Sequence, residues 1–164
     1  MALTLFNFFR KKRPSTESQA LLEIKHELKV NIDSVGNTLN PKETLLRQLE
    51  DMDSPLDEQA LLLLSTKLQL KSDAFDSAWL ETKLPNTEKD IMVRLSKLYA
   101  AQEHVAKLDH NFVEQYYTHI IENLTTLHTR NNDSVNALRS VVFEAKRLQQ
   151  HMQRMNIYME QQTA

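Results

Sequence analysis

The amino-acid sequence predicts an all-α protein, an elongated bundle of four to five helices that ends in a long antiparallel C-terminal hairpin. Three observations carry that expectation. A single glycine in 164 residues leaves almost no sites for tight turns or bulges, which use glycine to reach positive φ without steric cost. Leu, Lys, Glu, Gln and Ala make up 72 of the 164 residues, and all are good helix formers. Apolar residues also recur at intervals of three and four along most of its length. The expected organisation is an amphipathic basic segment over 1–13, a linker over 14–20 and one helical-bundle domain over 21–164, with the hairpin at 87–160.

The first element is MALTLFNFFRKKR. On a helix, Thr4, Asn7 and Lys11 share one narrow polar stripe, and Leu3, Leu5, Phe6, Phe8 and Phe9 cover most of the remainder. Pro14 closes the segment. A helix is then expected from Thr16, capped with Gln19, through Leu21, Ile24, Leu28, Ile32, Val35 and Leu39. Gly36-Asn37 weakens its end and Asn40-Pro41 stops it. Pro41 then suits the first turn of a short second helix with Leu45, Leu46, Leu49 and Met52.

Ser54-Pro55-Leu56-Asp57 reads as a restart, with a serine cap and an acid in the first turn. The next helix is expected to run through Leu61, Leu62, Leu63 and Leu64 to Leu68, Phe75 and Trp79, bent at Lys71-Ser72-Asp73. Four consecutive leucines point all round a helix, so this segment is expected in the centre of the core. Leu84-Pro85-Asn86 ends it. Thr87 and Asp90 cap the longest helix, expected to reach Thr129 with Ile91, Leu95, Leu98, Val105, Leu108, Phe112, Tyr116, Ile120, Leu124 and Leu127 as its stripe. After Arg130-Asn131-Asn132-Asp133, the last helix carries Leu138, Val141, Ala145, Leu148, Met152, Met155 and Met159 at coiled-coil spacing. A loop this short makes the two helices antiparallel neighbours.

Charge and motif content narrow the function. Arg10, Lys11, Lys12 and Arg13 take four of the 20 bases, leaving 16 against 22 acids in the rest of the chain. An acidic body argues against nucleic acid as a partner. No stretch approaches the roughly 20 apolar residues of a membrane-spanning helix. The cationic cluster follows the apolar stretch, the reverse of a secretory signal, so the expected location is cytoplasmic, peripheral on the inner face of a membrane. One glycine excludes Walker and Rossmann phosphate loops, and serine or cysteine nucleophile motifs are lacking. Glu23 and His26 form one Glu-x-x-His pair where a di-iron bundle needs two. His110, His119 and His128 are nine residues apart, so alternate members face opposite sides of a helix. Asn123-Leu124-Thr125 matches a glycosylation sequon, for which a mid-helix position makes chance the better explanation. No enzyme activity, cofactor or metal site is expected.

Two features suggest binding. Residues 1–13 suit an in-plane helix on an anionic membrane surface: Leu3, Leu5, Phe6, Phe8 and Phe9 to bury, Arg10, Lys11, Lys12 and Arg13 to meet headgroups. This segment resembles the short membrane-targeting helices at the start of some bacterial cell-division regulators, which also open on Met-Ala-Leu and run into paired phenylalanines and lysines. The resemblance covers about 13 residues and implies membrane targeting for them alone, because the remaining chain lacks the strand content of those regulators. Met152, Met155 and Met159 are the second feature, as an adaptable face for another protein or a second copy, or else as core at the open end of the hairpin. The expected function is a non-enzymatic helical adaptor or assembly protein held at the membrane by its N-terminus. The alternative is a soluble structural or chaperone-like component whose N-terminal segment docks on a partner protein.

Overall fold

The computed structural model describes residues 19–51, 55–81, 86–122 and 132–163. Helix α1 spans Gln19–Glu50 and α2 spans Glu58–Leu62, followed by a 3-10 turn at Leu63–Ser65. Helices α3, α4 and α5 span Asp73–Glu81, Asn86–Glu122 and Asn132–Thr163. Among the described residues there is no strand, and the all-α bundle with its long C-terminal hairpin is as the sequence predicts. At a rise of about 1.5 Å per residue, α4 and α5 are roughly 55 and 48 Å long. Residues 123–131, where α4 was expected to continue to Thr129, lie outside the described residues, as do the Thr16 cap and the sequon.

Three long helices set the frame. α4 and α5 pack along one another and α1 packs on α5. Lys29 pairs with Glu160 at 3.7 Å and Glu50 with Arg139 at 2.7 Å, so α1 and α5 run antiparallel. α1 and α4 are therefore parallel: Tyr99 meets Glu27 early in both helices, and Lys42 meets Asp109 further along. Parallel neighbours require the chain to travel back between them. That return is made by Thr66–Ser72, which belongs to no helix.

The geometry explains why an extended return works. Residues 66 to 74 cover eight steps at about 3.3 Å each, roughly 26 Å. The stretch of α1 that they accompany, Lys42 back to Glu27, covers fifteen steps at about 1.5 Å, roughly 22 Å. An extended segment thus retraces a helix in half the residues. The expected continuous helix from Pro55 to Trp79 is corrected accordingly. Of its four leucines only Leu64 is fully buried, whereas Leu62 and Leu63 are 75% and 47% exposed.

Two further boundaries differ from expectation. The cap of α2 is Asp57, whose carboxylate accepts from the Gln59 and Ala60 amides at 2.9 and 3.3 Å. Pro41 does not stop α1, which runs through it from Gln19 to Glu50. Proline costs a helix interior about 3 kcal/mol through its missing N–H and the clash with the preceding turn. Buried side chains on both sides offset that cost: Val35 and Leu39 before it, Leu45, Leu46 and Leu49 after it, each contributing about 1.5–3 kcal/mol when fully buried. Lys42, the next residue, is also anchored to α4.

The one glycine, Gly36, is in the interior of α1, where it faces α5; a Cβ there would stand 3.3 Å from the Gln149 side-chain amide. That neighbour is the end of a flexible side chain and can swing away. Replacing Gly36 with Ala is expected to raise stability by about 0.5–1 kcal/mol through helix propensity, measurable as a higher midpoint in urea unfolding. A lower midpoint would mean that close α1–α5 approach, and not tolerance, keeps glycine there.

Candidate functional site

The chemically richest part of the molecule is a polar seam between α1 and α4 that grips the returning segment. Its members occupy stripe positions of otherwise apolar helices. Asn31 sits between the buried Leu28 and Val35, Lys42 between Leu39 and Leu45, and Asp109 between Val105 and Phe112. Helical periodicity places all three facing inward. A polar side chain at such a position must find a partner or forfeit its hydration.

Each finds one. Lys42 Nζ donates to Asp109 Oδ1 and, at 2.8 Å, to the carbonyl of Thr66. The other carboxylate oxygen of Asp109 accepts the Leu68 amide at 2.7 Å. His110 Nε2 lies 2.9 Å from the Leu68 carbonyl, and a carbonyl can only accept, which assigns the ring proton to Nε2. The Ser34 hydroxyl donates to the Gln69 carbonyl at 2.7 Å. Asn31 pairs with both backbone groups of Lys71, accepting from its N–H and donating to its C=O at 2.8 Å each.

The seam continues into α3. Glu27 accepts the Ala74 and Phe75 amides at 2.8 and 3.3 Å, so a carboxylate from α1 covers the exposed donors at the start of α3, where the helix dipole favours negative charge. The Tyr99 hydroxyl donates to the same carboxylate at 2.7 Å, and its ring stacks on Phe75 at 4.4 Å. Burial, the hydrogen bond to Glu27 and the nearby charges of Glu27 and Asp76 all push the Tyr99 phenol well above its ordinary range. Burial likewise lowers the Lys42 ammonium from its ordinary value, with the Asp109 carboxylate opposing the shift.

These groups are committed to the fold. The side chains of Lys42 and Asp109 are 1% and 2% exposed. The cavity beside them, bounded by Val35, Leu39, Leu68 and Val105, is ≈ 10 Å³, about one water molecule in size. A substrate has no room there. Among the described residues, no group of three His, Asp or Glu side chains is placed to hold a metal ion.

The site residues expected from the sequence fall in two places. Leu3, Leu5, Phe6, Phe8, Phe9, Arg10, Lys11, Lys12 and Arg13 lie outside the described residues. Met152, Met155 and Met159 are buried in the protein's own core, which corrects their reading as an exposed docking face. A heptad stripe reports which side of a helix is apolar, and here α1 and α4 already cover it. The seam itself went unrecognised in the sequence. Its available signal was Asn31, Lys42 and Asp109 at core spacing, together with the two-residue alternation of Leu68 and Leu70 among Lys67, Gln69 and Lys71.

Two outcomes follow from the seam. Lys42→Met leaves the Asp109 carboxylate buried without its cation and is expected to destabilise the protein by roughly 3–5 kcal/mol, read from chemical unfolding; a loss under about 1 kcal/mol would show that the pair is dispensable. For Tyr99, the folded protein holds the phenolic proton above the ordinary value of 10.0, whereas the unfolded chain releases it there. The folded state then binds more protons, so stability is present below that pH and declines as pH rises through it. Phenolate absorbance is expected to show one tyrosine titrating only on unfolding, and Tyr99→Phe to remove that component.

Comparison of the chain with protein-family models, with curated proteins and with solved structures gives no match.

Proposed function

We propose that the protein is a non-enzymatic helical adaptor or assembly factor, held peripherally at an anionic membrane surface by its N-terminal segment. The observation that carries this reading is the sequence of residues 1–13, where five large apolar side chains stand beside four consecutive cations with no acid among them. An interfacial helix needs both components: apolar side chains to enter the acyl boundary and cations to meet headgroup phosphates. No helix among the described residues is long and apolar enough to cross a membrane, which is compatible with in-plane attachment. The buried polar groups described above serve the fold, and this supports a scaffold over a catalyst.

Binding through this segment is weak per copy. Each cation near an anionic surface contributes about 1 kcal/mol, and ordering a short helix consumes part of the gain from burying its side chains. Attachment is therefore reversible and is strengthened by anything that links copies together.

A second reading rests on a different observation. Leu62 and Leu63 are exposed next to one another on the 3-10 turn region, and Trp79 and Leu80 are exposed at the end of α3. Apolar side chains of this size in solvent suit a protein partner, as a soluble structural component would need.

Replacing Phe6, Phe8 and Phe9 together with Glu separates the two. The adaptor reading expects this variant to leave the membrane fraction and to stop floating with vesicles containing phosphatidylserine. Unchanged association would overturn it and favour docking on protein.

A further inference from the structure

A groove between α4 and α5 gathers positive charge in a body that is otherwise acidic. Arg94 and Lys97 reach it from the early turns of α4, His151 and Arg154 from the late turns of α5. The groove is ≈ 420 Å³ in volume, with the buried Leu98 and Met155 at its floor. The Arg94 guanidinium stands over the Tyr158 ring at 4.4 Å, which fixes its plane and leaves its outer donors free to face the groove. Among the described residues, no ion pair engages Arg94, Lys97 or Arg154. The neighbouring acids Glu103 and Glu160 are taken by Lys107 and Lys29, at 3.3 and 3.7 Å. Glu88 and Asp90, six and four residues before Arg94, are the remaining acids close in sequence, and against Arg94, Lys97 and Arg154 they leave the cluster net positive.

Placement gives the cluster its meaning. The antiparallel and parallel relations of the three long helices bring the start of α1, the start of α4 and the end of α5 to one end of the bundle. The groove lies in that half. The chain enters the described bundle there, at Gln19, six residues after Arg13. Six residues span at most about 20 Å, so Arg13 is joined within that reach to the end of the bundle that carries Gln19.

We infer that the Arg94–Lys97–His151–Arg154 groove is a second membrane contact, which receives the phosphate of an anionic lipid headgroup at the bilayer surface. This rests on the membrane reading of the N-terminal segment and assigns a further site to it. Guanidinium groups present forked donors that match phosphate oxygens, and a lysine adds a point charge. The groove supplies the phosphate contact and the N-terminal segment supplies apolar insertion. Two weak contacts on one surface multiply, because the second forms at the effective concentration set by the first.

The test uses the full chain and vesicles of phosphatidylcholine with or without phosphatidylserine. Four proteins are compared by co-flotation: the native chain, the groove variant R94Q/K97Q/R154Q, the phenylalanine variant F6E/F8E/F9E, and K67Q/R139Q/R147Q, which removes the same charge outside the groove. All the substituted groove positions are exposed, and helical circular dichroism checks that each variant folds. Removing one cation is expected to weaken partitioning on the order of fivefold, from about 1 kcal/mol each. The groove variant is thus expected to lose at least tenfold more than the charge-matched control, and Lys97→Arg to keep native binding.

Equal losses in the groove variant and the control would reduce the effect to net charge and overturn the site. Native binding by the groove variant, with loss in the phenylalanine variant, would overturn the groove and leave the N-terminal reading standing. Groove-dependent binding that survives in the phenylalanine variant would support the groove and overturn the N-terminal reading. Displacement of the protein by inorganic phosphate at constant ionic strength would make free phosphate the ligand and overturn the lipid assignment.

Discussion

The structure depends on satisfying the backbone of one extended segment. Thr66–Ser72 lies along the seam of two helices, with Leu68 buried and Thr66, Gln69 and Lys71 exposed, and has no sheet to receive its N–H and C=O groups. A buried peptide group left unpaired costs about as much as a lost hydrogen bond, and several in a row would be prohibitive. Side chains of α1 and α4 take the place of a neighbouring strand. Asn31 does so most completely, since its amide presents one donor and one acceptor to Lys71 just as a peptide group would.

This arrangement couples elements that are remote in sequence. Glu27 belongs to α1 yet caps α3, and it also receives the hydroxyl of Tyr99 from α4. Lys42 holds both the returning segment and α4 through its bonds to Thr66 and Asp109. A slip of α1 by one turn would break all of these contacts together, whereas apolar stripes alone would tolerate the shift. The ionic and polar members therefore set the register of two parallel helices, and the leucines and methionines supply most of the burial. A buried ion pair contributes little net stability compared with a well-packed apolar pair, but its geometry admits few alternatives.

The exterior follows a different logic. Opposite charges are matched between α1 and α5 at Glu43 and Lys146 and at Glu50 and Arg139, and between the extended segment and α4 at Lys67 and Glu114. Exposed pairs of this kind are worth less than about 1 kcal/mol each. The cations of the α4–α5 groove stand apart from that pattern. Arg94, Lys97 and Arg154 pair with no described acid, and the groove lies in the half of the bundle that carries Gln19.

Composition and periodicity determined the all-α class, the long antiparallel hairpin and the inward stripes Leu21 to Leu49, Ile91 to Ile120 and Leu138 to Leu148, because helical spacing is a local property that the chain carries in its own order. They also placed the amphipathic, basic character of residues 1–13. Only the tertiary structure decided where those local rules give way. Pro41 stays inside a helix because packing on both sides outweighs a backbone cost of a few kcal/mol. Residues 66–72 leave the helix because Asn31, Ser34, Lys42, Asp109 and His110 stand where the backbone needs them. The methionine stripe is core and the Arg94–Arg154 groove is basic for the same reason. Both depend on which helices become neighbours, and that is settled by contacts between residues far apart in the chain.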